Sequence, residues 1–427
     1  MKLLIIINSL GDSGQYFIPF FESLINRGHH LIVVSTITPS MCSKLSRMGI
    51  RYVNLGKIHR GLSSMLGLVR FPLILAKIMS IISNENIDLI HVQSGFVPLS
   101  LSCIVSKLKK IPLVLTIHGG QPSFSFMLNP IRQIQGIIST SLERKEAFPE
   151  EVKRVKVIPL PINLDRFFPN SSNGETKKLE HRVSLFNSGS PNTIVYSLLE
   201  SAPRISELFR NTKIIITGWY SHYFELVNAI KKMNKKIGRE MIILTGFVED
   251  TPKIMNQADI LIGVGVVVAE AMACGKPVIV ARSNFGGIVN EQNVAELRKY
   301  NFTGRNSNMP TNPENIFKSI STLLSDQKYM KHLGEFGRKY AEKEFEPNKI
   351  GIQVELVYKY AQKNFKDSAN FTSFFSAGWH ILTSMLYVFI KELITILNLA
   401  HKLEYLRKPL ARKTSRALNL IFNRIRT

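Results

Sequence analysis

Residues 246–280 read GFVEDTPKIMNQADILIGVGVVVAEAMACGKPVIV. DILIGVG (259–265) is a short apolar, β-branched run that ends in a glycine turn. VVVAEAMACG (266–275) has the composition of a helix of about ten residues, stopped by Gly275 and Pro277. KPVIVA (276–281) reads as the next strand. Strand, tight turn, helix and strand form the repeating unit of a parallel α/β sheet. Glu270 stands about one turn into the expected helix, among Val, Ala and Met, where an unpartnered carboxylate is costly to bury. The start of that helix offers free N–H groups and the positive end of its dipole. The combination suits a ligand with a phosphate beside a diol: backbone holds the anion, and the acid accepts two hydroxyl hydrogen bonds, as a ribose offers.

The same alternation runs through the chain twice. KLLIIIN (2–8), HLIVVST (30–36), IDLIHV (87–92) and PLVLTI (112–117) are buried-strand runs separated by helix-length stretches. FPNSSNGETKKLEH (168–181) is polar and turn-rich, a linker. RVSLFN (182–187), KIIITG (213–218), EMIILTG (240–246) and the two runs above repeat the pattern. The expected fold is therefore α/β: two Rossmann-like lobes with a central cleft and a helical C-terminal tail. The lobes are expected at 1–167 and 182–345, a closing helix at 346–363 and a basic amphipathic tail at 364–427.

Open α/β sheets bind ligands beyond the carboxyl ends of their strands, so the loops there are the informative ones. NSLGDSG (8–14) follows the first strand, and Gly11 and Gly14 would let backbone amides approach a ligand closely. Its spacing is not the dinucleotide fingerprint. TIHGG places His118 at a strand end, able to exchange a hydrogen bond with a sugar hydroxyl or a phosphate oxygen.

A formal net charge of +24 over 427 residues calls for an anionic partner. Zinc-finger spacing and basic runs interleaved with stacking aromatics are absent, which argues against nucleic acid. Cys42, Cys103 and Cys274 are scattered and odd in number, consistent with a reducing cytoplasm and no metal cluster. The opening MKLLIIINSLG is too short for an export-signal core and suits a first strand.

On these motifs, in this order, the chain resembles the family-four glycosyltransferases of the GT-B type from residue 1 to about 363. NSLGDSG with LINRGHHLIVVS, IDLIHVQS, IPLVLTIHG and VIPLPINLDRFFP (157–169) match the first half, and residues 246–280 match the most specific segment. The resemblance implies transfer of a sugar from a nucleotide-sugar donor to an acceptor, with retention at the anomeric carbon, no cofactor and no metal. It implies that Glu270 binds the donor ribose and that the backbone near Phe247 and Val248 holds the base. Gly263 and Gly265 would then lie near the diphosphate, Gly11 and Gly14 would face the transferred sugar, and His118 would assist at the reacting centre.

Several family charges are replaced. Ile262 stands where relatives commonly carry a second glutamate, Val266 where one branch has arginine, and Leu185 and Phe186 where a phosphate-binding arginine falls. PINLD (161–165) alters a further element. Arg282 and Arg305, both in loops, are the expected replacements for the missing cations. Two alternatives follow: a catalytically silent partner of an active transferase, or a nucleotide-sugar epimerase on the same fold.

The tail holds ten basic and three acidic residues between 364 and 427, and residues 371–390 carry no Asp, Glu, Lys or Arg. An aromatic apolar stretch before a basic one is the composition of an interfacial anchor on an anionic membrane surface. The apolar segment at 60–82 could face the same bilayer. The expectation is a protein peripheral on the inner face of the cell membrane, acting on a glycan or lipid-linked acceptor in surface polysaccharide or glycolipid synthesis.

Overall fold

The computed structural model describes residues 1–55, 65–93, 96–118, 134–148, 150, 152, 154–170, 180–187 and 193–365. The tail from 366 onward, on which the expectation of a membrane anchor falls, lies outside the described residues. Two sheets form the frame. The first joins β1 (Lys2–Leu10), β2 (His30–Ile37), β3 (Arg51–Asn54), β4 (Leu89–Gln93), β5 (Leu113–Ile117), β6 (Gly136–Ser139) and β7 (Val155–Val157). Its spatial order is β3-β2-β1-β4-β5-β6-β7. All its pairings are parallel.

The second sheet contains β8 (His181–Phe186), β9 (Thr212–Thr217), β10 (Ile242–Gly246), β11 (Ile260–Gly263), β12 (Val278–Ala281) and β13 (Phe285–Ile288), in the order β10-β9-β8-β11-β12-β13. Only β13 runs antiparallel, along β12 at the edge. The strands without a strong apolar run, namely β3, β6, β7 and β13, are three or four residues long, too short to announce themselves by pattern. The order reverses between β1 and β4 in one sheet and between β8 and β11 in the other. Those switch points open the crevices where α/β sheets take ligands.

Helices cover both faces, which is why the central strands are apolar throughout. The helix Met65–Glu85 buries Ile74, Ile78, Ile81 and Ile82 in the N-terminal core, while Leu73 is exposed. The helix Pro347–Lys363 does not stay with the second lobe. Ile350, Val354, Val357 and Tyr358 pack into the core of the first lobe with Leu3, Ile5 and Phe21, and Arg27 Nε donates to Glu355 Oε2 at 2.6 Å. Among the described residues, no helix is long and apolar enough to cross a membrane.

Candidate functional site

A cavity of about 1070 Å³ lies between the lobes. Residues of the first lobe (Gln15, Tyr16, Pro19, Glu22) face residues of the second (Trp219, Phe247, Val248, Glu270) across it.

The second-lobe wall follows from the length of one connection. Only Val264 and Gly265 separate β11 from the helix Val266–Ala273. Gly265 has φ +67°, a left-handed conformation open to glycine, and this turn brings the helix start straight to the sheet edge. Val264, Val266 and Val267 line the cavity there. Gly263 closes β11, and a Cβ on it would meet Val267 Cγ1 at 2.8 Å, so the glycine permits the tight packing of turn on strand. The helix ends at Cys274 with Gly275 at φ +66°, the left-handed stop. A second glycine holds it in place. A Cβ on Gly334, in the helix Gln327–Glu344, would sit 2.3 Å from Gly275 O.

Glu270 is on the cavity wall. Burial pushes its carboxyl up to about 8, with the Arg166 guanidinium pulling the other way. Arg166 also lines the cavity, donating from Nη1 to Gln15 Oε1 at 3.2 Å and from Nη2 to Glu249 O at 3.1 Å. Both acceptors are neutral, and its charge acts on the nearby Glu270 carboxyl. Sequence reading passed over Arg166; its signal is a lone arginine in NLDRFFP, beside the crossing between lobes. Lys44 is a second cation on the wall but is paired with Glu249 at 3.0 Å.

Arg282 lines the cavity as well. Arg305 does not; its Nε donates to Glu143 Oε1 at 3.1 Å. With Lys299 and Glu146, 3.2 Å apart, that pair ties the second lobe to the first beside the cleft.

The replaced charges have a structural counterpart. Ile262 pairs in register with Leu185 on β8, and both are fully buried in the second-lobe core. A side chain at either place points among apolar residues, not toward a phosphate. Phe186, at the end of β8, reaches the cavity.

The first-lobe wall is arranged differently. A short 3-10 helix, Asp12–Phe17, follows β1 and carries Gln15 and Tyr16 to the cavity. Gly11 caps that helix and Gly14 packs against Leu10, so neither is part of the wall. His118 lies behind the wall, with its ring edge-on to Phe17 and Tyr16 at 5.4 and 6.3 Å between centroids. Its Nε2 is 2.8 Å from Gln93 Oε1, an oxygen that only accepts, so Nε2 carries the proton. Gln93 Nε2 lies 3.2 Å from His91 Nε2, which Thr116 also approaches at 2.7 Å, and His91 Nδ1 meets the Tyr358 hydroxyl at 2.7 Å. Burial lowers His118 to about 4 and His91 to about 3, so both are neutral at physiological pH. Tyr358 belongs to the closing helix, and the chain of hydrogen bonds therefore joins that helix to the back of the cleft.

Known proteins share this fold. Residues 14–166 match the family described as Glycosyltransferase Family 4, and residues 190–340 match Glycosyl transferases group 1. The N-acetyl-alpha-D-glucosaminyl L-malate synthase of Bacillus anthracis is 22% identical over 383 residues, spanning 82% of this chain and 94% of that protein. Among solved structures, Anabaena Alr3699/HepE in complex with UDP superposes with a TM-score of 0.65 at 18% identity, covering 84% of this chain and 100% of the other. A UDP-GlcNAc 2-epimerase from Neisseria meningitidis bound to UDP-GlcNAc superposes at 0.57 with 14% identity, over 84% of this chain and 100% of that one. At these identities the structural likeness establishes the fold.

Proposed function

We propose that this chain, which belongs to the group 1 glycosyltransferases of the GT-B fold, moves a sugar from a nucleoside-diphosphate sugar, held in the inter-lobe cavity, to a glycan or lipid-linked acceptor. The observation that carries the reading is Glu270, placed on the cavity wall one turn into a helix whose start is open to the same space. The acid takes the two ribose hydroxyls, the helix start and the Val264–Gly265 turn take the diphosphate, and the backbone at Phe247 and Val248 takes the base. Gly263 and Gly265 act by shape, letting the helix start stand this near the sheet.

The leaving diphosphate needs positive charge. Arg166 and Arg282 supply it from the wall, in place of the charges that Ile262, Leu185 and Val266 do not provide. Each charge-assisted hydrogen bond contributes about 1.5–3 kcal/mol. Arg305 serves the lobe contact through Glu143 instead. His118, neutral and held by Gln93, shapes the sugar side through Tyr16 and Phe17. Transfer proceeds with retention and without a metal, as the family resemblance implies.

The basic composition of 364–427 supports an acceptor borne on an anionic membrane, with the protein docked from the cytoplasmic side. UDP and UDP-sugars are the first donors to try, because the Anabaena and Neisseria proteins are solved with them. A panel of nucleotide-sugars read by thermal shift tests the donor site, since a ligand of the folded state raises the melting temperature. No shift from any of them removes the enzymatic reading. Turnover that survives a chelator supports the metal-free step, and donor altered without acceptor favours an epimerase. Deleting 364–427 should release the protein from anionic liposomes; equal binding by the truncated form removes the anchor.

A further inference from the structure

Two large rings on the second-lobe wall have no part in the roles above. Trp219 and Phe247 are 63% and 53% exposed, and both line the cavity. Rings this open on a concave surface mark a place that another apolar or planar group covers. Their position is set by two neighbouring strands. Thr217 and Gly246 are in register at the ends of β9 and β10, and the Gly218 N–H donates to Gly246 O at 2.9 Å. Trp219 and Phe247 each follow one residue after that hydrogen-bonded pair, on strands about 4.8 Å apart. Gly218, at φ 140°, makes the turn that sends the indole outward.

The strand order then arranges the wall. β8 separates β9 from β11, so Trp219 emerges roughly 10 Å, and Phe247 roughly 14 Å, along the sheet edge from the strand that leads to Glu270. One end of the wall presents two exposed rings, and the other offers an acid and a helix start. A nucleoside diphosphate has the matching polarity: a flat base at one end, a diol and phosphates at the other.

We propose that Trp219 is the stacking platform for the donor's nucleobase, with Phe247 beside it at the rim. The inference rests on the nucleotide-sugar reading and adds a residue to it. Stacking uses the π-face that every base has, so Trp219 contributes affinity without choosing the base. That choice falls to the edge contacts near Val248.

The chain has two tryptophans, Trp219 and Trp379. Trp379→Phe therefore leaves Trp219 as the sole indole reporter. UDP, ADP and GDP are titrated into this protein while emission and heat are followed together. Emission should be quenched along the calorimetric isotherm of whichever nucleotide binds. Trp219→Ala should weaken that binding by about five- to a hundredfold, Trp219→Phe should recover most of it, and neither should change the melting temperature of the unliganded protein. Binding heat without any change in emission overturns the platform, as does a Trp219→Ala dissociation constant equal to the parent's. Absence of binding by all three nucleotides in the parent takes down the donor reading and the platform together, which separates the two failures.

Discussion

The two walls of the cavity use their polar groups in different ways. On the second-lobe wall Glu270, Trp219 and Phe247 stand one connection away from a strand end and face the open space. On the first-lobe wall Tyr16 and Phe17 come between the cavity and His118, and the polar groups His91, Gln93, Thr116 and Tyr358 form a bonded layer behind them. The second-lobe wall turns its acid and rings to the space, and the first-lobe wall is braced from behind by that bonded layer. A strand end delivers a residue to a ligand only when the connection after it is short. Two residues follow β11, whereas a 3-10 helix follows β1 and rolls Gln15 and Tyr16 forward past the glycines.

This contrast breaks if the wrong wall responds to mutation. Glu270→Ala should weaken nucleotide binding on the order of a hundredfold or more, two charge-assisted hydrogen bonds being lost, while Gly14→Ala should leave the calorimetric constant nearly unchanged. A comparable loss in Gly14→Ala would mean that the first-lobe glycine loop is the contact surface after all.

A smaller effect, up to several tens of fold, on the order of the change in ionised fraction, is expected from pH. The Glu270 carboxyl sits near 8 in the folded protein against an ordinary 4.5, so the folded state prefers the protonated form. That preference contributes stability fully below about pH 4.5, and the contribution is lost as the pH rises through 8. Binding of a diol favours the ionised form, so nucleotide affinity should rise between pH 6 and pH 8.5 while the unliganded protein loses stability. Glu270→Gln should flatten both curves; an affinity that falls over that range would contradict the assignment.

Next comes the packing that keeps the second-lobe wall in place. Gly334→Ala forces a Cβ to within 2.3 Å of Gly275 O unless a helix shifts. It should cost about 1–3 kcal/mol and lower the melting temperature by several degrees, with weaker nucleotide binding alongside. An unchanged melting temperature would show that the two helices yield freely. The smallest effect belongs to Arg305→Ala, for which the dissociation constant should stay within about twofold. Arg305 serves Glu143 at 3.1 Å and not the cavity, so a large loss of nucleotide affinity would return it to the donor site.

The GFVEDTPKIMNQADILIGVGVVVAEAMACGKPVIV segment was legible because everything it needs is local. A β-branched run, a left-handed glycine, eight helical residues and a second left-handed glycine lie within one continuous stretch, and Glu270 sits in the middle of it. The four principal strand runs of the first lobe could be read for the same reason: strands buried on both faces are apolar without interruption. The helix Pro347–Lys363 was legible as a helix, but nothing in its sequence says that Tyr358 reaches back to His91. Arg166 and Trp219 had weak signals, a lone cation and a lone indole, because their significance lies in what stands opposite them.

Sequence alone therefore determined the two α/β lobes, the switch-point helix and its acid, since period, glycine placement and burial cost act over a few residues. Tertiary structure decided which cations face the cavity, which glycines do not, and that His118 stands one layer back. Those outcomes depend on how segments more than a hundred residues apart in sequence meet, as Arg166 does with Gln15 and Arg305 with Glu143. No local preference of the chain encodes that distance.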